Sequence, residues 1–168
     1  LLTRSVAGIL INSATPVTVN AAGFATLTVS NGGLLVAGGT SGSPVTHSIG
    51  SNLVVLGGNT YDLNLAVDAN TTLDVQGVLR SSFNVTKTLP GTLQLSAKQY
   101  FNTGGNWFTV AAGKVILNAG NNTLYPGRNM AVGAGATLDL NGTTQTIGGL
   151  ITPEGARRYA GGVVTNSS

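Results

Sequence analysis

Short runs of alternating apolar and polar residues recur along this chain at a nearly constant interval. Thr-Leu, then a short or polar residue, then an aliphatic one, appears as TLTV at Thr26–Val29, TLDV at Thr72–Val75, TLQL at Thr92–Leu95 and TLDL at Thr137–Leu140. The starts lie 46, 20 and 45 residues apart, which is about two, one and two multiples of a unit of 20 to 23. Similar phrases, Leu53–Leu56 (LVVL) and Val115–Leu117 (VIL), fill the skipped places. A strand phrase returning at that period predicts a solenoid in which each coil stacks its strand on the one before.

A longer match supports the period. Asn64–Gly77 (NLAVDANTTLDVQG) and Asn129–Gly142 (NMAVGAGATLDLNG) share eight residues at a constant offset of 65, or three coils. The segments are short and rich in Val, Leu, Ile and Thr, as strands are. Period-2 alternation is plain in Tyr61–Val67 and Ala136–Leu140, the mark of a strand with one buried face. Turn signals punctuate the chain at Asn31-Gly32-Gly33, Gly38-Gly39, Gly57-Gly58-Asn59, Gly104-Gly105-Asn106, Pro126-Gly127 and Asn141-Gly142. A sandwich or barrel would instead pair strands of similar length through Asn-Gly hairpins.

The pattern therefore predicts one domain over residues 1–168, a right-handed parallel β-helix of about seven coils. At about 4.8 Å per stacked strand the rod would be on the order of 35 Å long. Leu27, Val29, Leu73, Val75, Leu93, Leu95, Leu138 and Leu140 are the candidates for inward aliphatic ladders, with Leu73 and Leu138 in the same ladder and two coils between them. Thr28, Asp74, Gln94 and Asp139 should point outward, and asparagines should stack as side-chain ladders at the corners.

Composition narrows the function classes. Charged residues make up only 8% of the chain, and the net charge is +3 from 8 basic and 5 acidic residues. The basic residues are scattered and only Arg157-Arg158 are adjacent, so there is no nucleic-acid footprint. Cysteine is absent, which excludes a disulfide scaffold or a thiolate metal site. No run of about 18 apolar residues exists to span a bilayer as a helix. The start at Leu1 without Met reads as a processed product or a fragment.

From Lys87 to Asn166 the chain resembles the autotransporter-associated β-strand repeats of bacterial surface proteins. The residues that carry the likeness are KTLPGTLQLSAKQYFNTGGNWFTVAAGKVILNAG, then VGAGATLDLNGTTQTIGGL, then GGVVTN. Tyr100, Val110, Gly113, Leu117, Gly135–Gly142 and Gln145–Leu150 stand at positions similar to the family pattern. Two departures stand out: Leu89-Pro90 and Ala97-Lys98 replace the usual glycines. The resemblance implies a passenger-type β-helix, extracellular or on the bacterial cell surface, and names no ligand.

The candidate chemistry is thin. β-Helix enzymes that act on acidic polysaccharides need clustered carboxylates or calcium-binding carboxylates with a base. The acids here are Asp62, Asp68, Asp74, Asp139 and Glu154, and the first three are spaced by six, which is not a full coil. His47 is alone and reads as a surface or satisfied residue. Neither a catalytic residue, a cofactor site nor a metal site is predicted, and the chain is read as a non-enzyme. Tyr100, Phe101, Trp107 and Phe108 form an aromatic cluster that is either a satellite core or an exposed contact surface for sugar or a neighbouring subunit. Arg157, Arg158 and Tyr159 form a candidate lateral contact.

These readings converge on a structural protein: a secreted or surface-exposed β-solenoid acting as filament subunit, stalk or adhesin. A carbohydrate-binding or polysaccharide-degrading β-helix is the alternative, with surface glycans as its partners. The first coil, LLTRSVAGILI, and the last, ending VVTNSS, carry no cap. Bare ends predict head-to-tail association of copies, or continuation into a longer parent chain.

Overall fold

The computed structural model describes residues 2–57, 62–101, 107–151 and 161–167. Among these the chain is all strand, turn and bend, with no helix. The strands run in order β1 (Leu2–Asn12), β2 (Thr18–Val19), β3 (Ala25–Ala37), β4 (Val45–Ile49), β5 (Leu53–Gly57), β6 (Leu63–Val67), β7 (Thr71–Val75), β8 (Val78–Ser81) and β9 (Val85–Thr88). They continue as β10 (Thr92–Leu95), β11 (Tyr100–Phe101), β12 (Trp107–Val110), β13 (Lys114–Leu117), β14 (Asn129–Val132), β15 (Thr137–Asp139), β16 (Gly149–Ile151) and β17 (Val163–Thr165). All pairings between these strands are parallel. The fold is the expected parallel β-helix, with about six turns rather than about seven.

Among the described residues the coils as far as β11–β13 lay strand on three faces, and those beyond lay it on two. The first face stacks the opening halves of β1 and β3 with β5, β8 and β11. The second stacks the closing halves of β1 and β3 with β6, β9, β12, β14 and β16. The third is a seven-stranded sheet, β2-β4-β7-β10-β13-β15-β17. β3 turns from the first face to the second at the predicted Asn31-Gly32-Gly33 signal, where Gly32 takes φ 67°. The strand bends there without ending, because glycine tolerates the left-handed backbone.

On the third face three of the four Thr-Leu phrases fall into register with VIL; TLTV and LVVL lie instead on the first face, where Leu27 pairs with Val55, so the single series splits between two faces. Leu73 pairs with Leu93, Leu93 with Val115, and Val115 with Leu138. Two coils separate Leu73 from Leu138, as predicted, and the offset of 65 residues is the true three-coil step here. On the second face the step is two residues longer: Asn64 leads through Thr86 and Thr109 to Ala131, not to Asn129. A slip of two leaves the inward set inward, since side chains alternate with period 2. The corner between the faces absorbs the difference.

The core is the stack of inward columns. Val29, Leu73, Val75, Leu93, Leu95 and Leu138 are buried, each contributing roughly 1.5–3 kcal/mol. Leu27 and Leu140 are only partly buried. They belong to a set of partly buried core residues (Ile9, Val17, Val19, Ala21, Leu27, Leu140 and Ile147) confined to the two ends of the rod. Of the four predicted outward positions one needs correction. Thr28, Asp74 and Gln94 are half-buried, but Asp139 is buried, because Lys114 and Ser167 close over it.

The corners hold the predicted side-chain ladders. Asn70, Asn122 and Asn141 take positive φ of 53–56°. On one corner the Ser96 hydroxyl donates to Asp74, Asn118 donates to Ser96 Oγ, and Asn141 donates to Asn118 Oδ1. On another, the Asn84 amide donates to Asp62 while its Oδ1 accepts from the Trp107 N–H at 2.8 Å. Successive coils approach closely at Gly91 and Gly113: a Cβ on Gly91 would lie 2.1 Å from the Asp68 carbonyl oxygen, and one on Gly113 2.4 Å from that of Gly91.

Candidate functional site

The acids do not assemble a reactive centre. Asp74 and Asp139 share one outward column of the third face, through Gln94 and Ile116. Three coil spacings put them about 14 Å apart, beyond the separation of a glycosidase carboxylate pair. The oxygens of Asp74 accept from Gln76, Gln94 and Ser96. Asp62 accepts from Asn84, and Asp68 from the Ala69 N–H. Glu154 lies outside the described residues. No group of three metal-ligating side chains occurs among the described residues.

Asp139 is the most strongly held carboxylate. Burial alone would raise its pKa, but the Lys114 ammonium at 2.7 Å, the Ser167 hydroxyl and the backbone N–H groups of Asn141 and Ser167 outweigh burial. They hold the carboxyl well below its usual range. The arrangement is a clasp: it ties the end of the chain beyond β17 to β15 and leaves no free oxygen for chemistry.

Three of the buried polar side chains, His47, Gln99 and Lys87, displace aliphatic residues from the core, and each is hydrogen-bonded. His47 is in the column of Leu73. Its Nδ1 accepts from the Val17 N–H and its Nε2 donates to the Ala37 carbonyl, both at 3.1 Å. Gln99 accepts from the Leu79 N–H at 2.7 Å and donates to the Gly77 and Ala97 carbonyls. Lys87 pairs with Leu65 on one side and Val110 on the other, and its ammonium donates to the Thr88, Leu89 and Ala112 carbonyls. His47 is the satisfied residue that its isolation suggested. The inward placement of Lys87 and Gln99 was not anticipated, although the burial alternation of Val85–Thr88 carries Lys87 inward with Val85.

The aromatic residues divide. Phe108 is fully buried in the core, in the column of Val85 and Met130, and forms no part of a contact surface. The reason is plain alternation: Phe108 and Val110 face inward, while Trp107 and Thr109 are half-buried on the other side. Tyr100 is 52% exposed in the outward column of Arg80, and its ring lies 6.5 Å from that of Tyr125 at a tilt of 53°. The Phe101 side chain lies outside the described ones, as do Arg157, Arg158 and Tyr159.

The remaining candidate is the pair of rod ends. At the first, β1 offers an unpaired edge over two faces, and Leu2, Val6 and Leu10 are exposed. At the last, Leu150, Ile151, Val163 and Val164 are exposed beside a cavity of about 80 Å³ lined by Leu117, Leu138, Leu140 and Ile147. Comparison of the chain with protein-family models, with curated proteins and with solved structures returns no match.

Proposed function

We propose that this chain is a structural β-solenoid module of an extracellular or bacterial cell-surface protein, serving as filament subunit, stalk or adhesin, with no catalytic activity of its own. One observation carries the reading: among the described residues the strands at both ends of the stack show apolar side chains and an edge with no partner strand, with the partly buried core residues gathered there, a geometry that continues into another copy or into more of the same chain. Such edges are templates for further strands. A head-to-tail contact between copies is heterologous and does not close, so its product is a filament. The resemblance of Lys87–Asn166 to autotransporter-associated repeats supports the surface location.

Sedimentation velocity over a concentration series tests the reading, with negative-stain images of the same samples. Growth in steps of one rod length is the expected result. A monomer at all concentrations would refute self-assembly. A second reading, glycan binding, rests on the exposed Tyr100–Tyr125 pair beside Arg80. It requires that Tyr100→Ala abolish glycan binding without changing sedimentation.

A further inference from the structure

Lys87 is an unusual tenant of an aliphatic column. Its neighbours in register are Leu65 and Val110, and the residue is fully buried. Among the described residues no carboxylate meets its ammonium. The partners are three backbone carbonyl oxygens: Leu89 at 2.6 Å, Thr88 at 3.0 Å and Ala112 at 3.1 Å.

The backbone is shaped to bring those oxygens together. Leu89 takes φ 65°, a left-handed conformation that is strained for a non-glycine residue. On the next coil Gly113 takes φ 70°, and its missing side chain lets that coil close onto the Leu89 carbonyl, 2.6 Å from where a Cβ would sit. Two left-handed corners on successive coils thus aim carbonyls from both coils at one interior point. Inward carbonyls without a donor are unfavourable in an apolar interior, and convergent carbonyls are the means by which proteins replace the hydration shell of a monovalent cation.

We infer that the Thr88, Leu89 and Ala112 carbonyls form a monovalent-cation site, occupied by the protein's own Lys87 ammonium, which stitches the fourth coil to the fifth. The ligand class follows from the donors: neutral carbonyls with no carboxylate suit a singly charged ion of the size of ammonium or potassium, and not a divalent metal. Burial lowers the Lys87 pKa to about 8, so the side chain still carries its charge at neutral pH. The inference does not depend on the proposed surface role, and its test reads stability and protonation without reference to assembly.

The test removes the tether and supplies the cation free. Thermal midpoints of the parent, Lys87→Ala and Lys87→Met are compared in ammonium chloride and in tetramethylammonium chloride of equal ionic strength. In the bulky salt, Lys87→Ala should melt about 5–10 °C below the parent. Ammonium should restore at least half of that loss. Lys87→Met, which refills the space with an uncharged chain, should gain no more from ammonium than the parent does. Equal stability of Lys87→Ala and parent, or no selective gain from ammonium, would overturn the site. Should Lys87→Ala fail to fold, the nitrogen resonance of Lys87 in the intact protein decides. A protonated, slowly exchanging ammonium at neutral pH supports the site, and a neutral amine refutes it.

Discussion

The middle coils and the end coils of this rod carry similar alternating phrases and have different surroundings. Leu93, flanked by Leu73 and Val115 in its column, is fully buried. Leu2, on β1 in the inward column of Ala25 and Leu53, has a neighbour on one side only and is 56% exposed. The alternation within a strand decides which side chains face inward. Whether those side chains leave water is decided by the coils above and below, so burial in a solenoid is a property of stacking.

The sharpest way to break the comparison is to force two middle coils apart. Gly91→Ala places a Cβ against the Asp68 and Thr71 carbonyl oxygens of the preceding coil, which are backbone and cannot swing away. A loss of more than about 4 kcal/mol in denaturant unfolding is expected. Gly23→Ala, near the first end, meets nothing within 4 Å and should change stability by less than about 0.5 kcal/mol. Equal effects of the two substitutions would mean that the coils are not in register contact at Gly91.

Cavity formation gives the next largest contrast. Leu93→Ala should cost about 2–5 kcal/mol, because the flanking coils hold the cavity open. Leu2→Ala should alter monomer stability by less than about 1 kcal/mol, since no coil on its far side holds a cavity open. If the ends are contacts between copies, Leu2→Ala should nevertheless weaken association, read by sedimentation at several concentrations. An end residue that matters for assembly and not for folding is the signature of an interface.

How much of this was legible in the sequence follows the same divide. The Thr-Leu phrases of the third face read directly into the Leu73–Leu93–Val115–Leu138 column, because short alternating runs with β-branched neighbours have one sensible register. The half-exposure of Leu27 and Leu140 was not legible, since it depends on how many coils lie beyond them. Phe108 could have been placed inside from the alternation of Trp107–Val110, had it not been read together with its aromatic neighbours. Lys87 was hidden for a chemical reason: a lysine in a strand reads as an outward residue until the carbonyls that hold it are seen. The covering of Asp139 comes from Ser167, 28 residues on, which no local pattern announces.

Alkaline titration probes the middle of the rod more gently. The Lys87 ammonium has a pKa lowered by burial from 10.5 to about 8 in the folded chain. Between those values the unfolded chain binds more protons than the folded one, so stability rises with pH across that window. The gain should be on the order of 2–3 kcal/mol by pH 10.5, measured as urea midpoints. Lys87→Met should remove that rise. A parent whose stability is flat or falling from pH 8 to 10 by the same amount as Lys87→Met would show that the three carbonyls fully replace the hydration of the ammonium, so that burial does not lower its pKa.

The smallest expected effect distinguishes one end from the other. In β1 the register sets Arg4 over Leu27, in the inward column that continues to Val55 and Leu79. An inward charge on an edge strand works against the addition of another strand. At the opposite end the residues around the cavity are Leu117, Leu124, Leu138, Leu140, Ile147, Leu150 and Val164, with Gln145 as the one polar group. A head-to-tail contact would bring the Arg4 guanidinium toward that aliphatic lining, and the loss of its hydration opposes association. Arg4→Leu should therefore tighten association by about tenfold, or about 1.4 kcal/mol, while Arg4→Lys leaves it unchanged. Sedimentation equilibrium on the three proteins gives the constants. Weaker association of Arg4→Leu would place Arg4 in a favourable contact with the next copy, and no change would place the contact elsewhere than on these two ends.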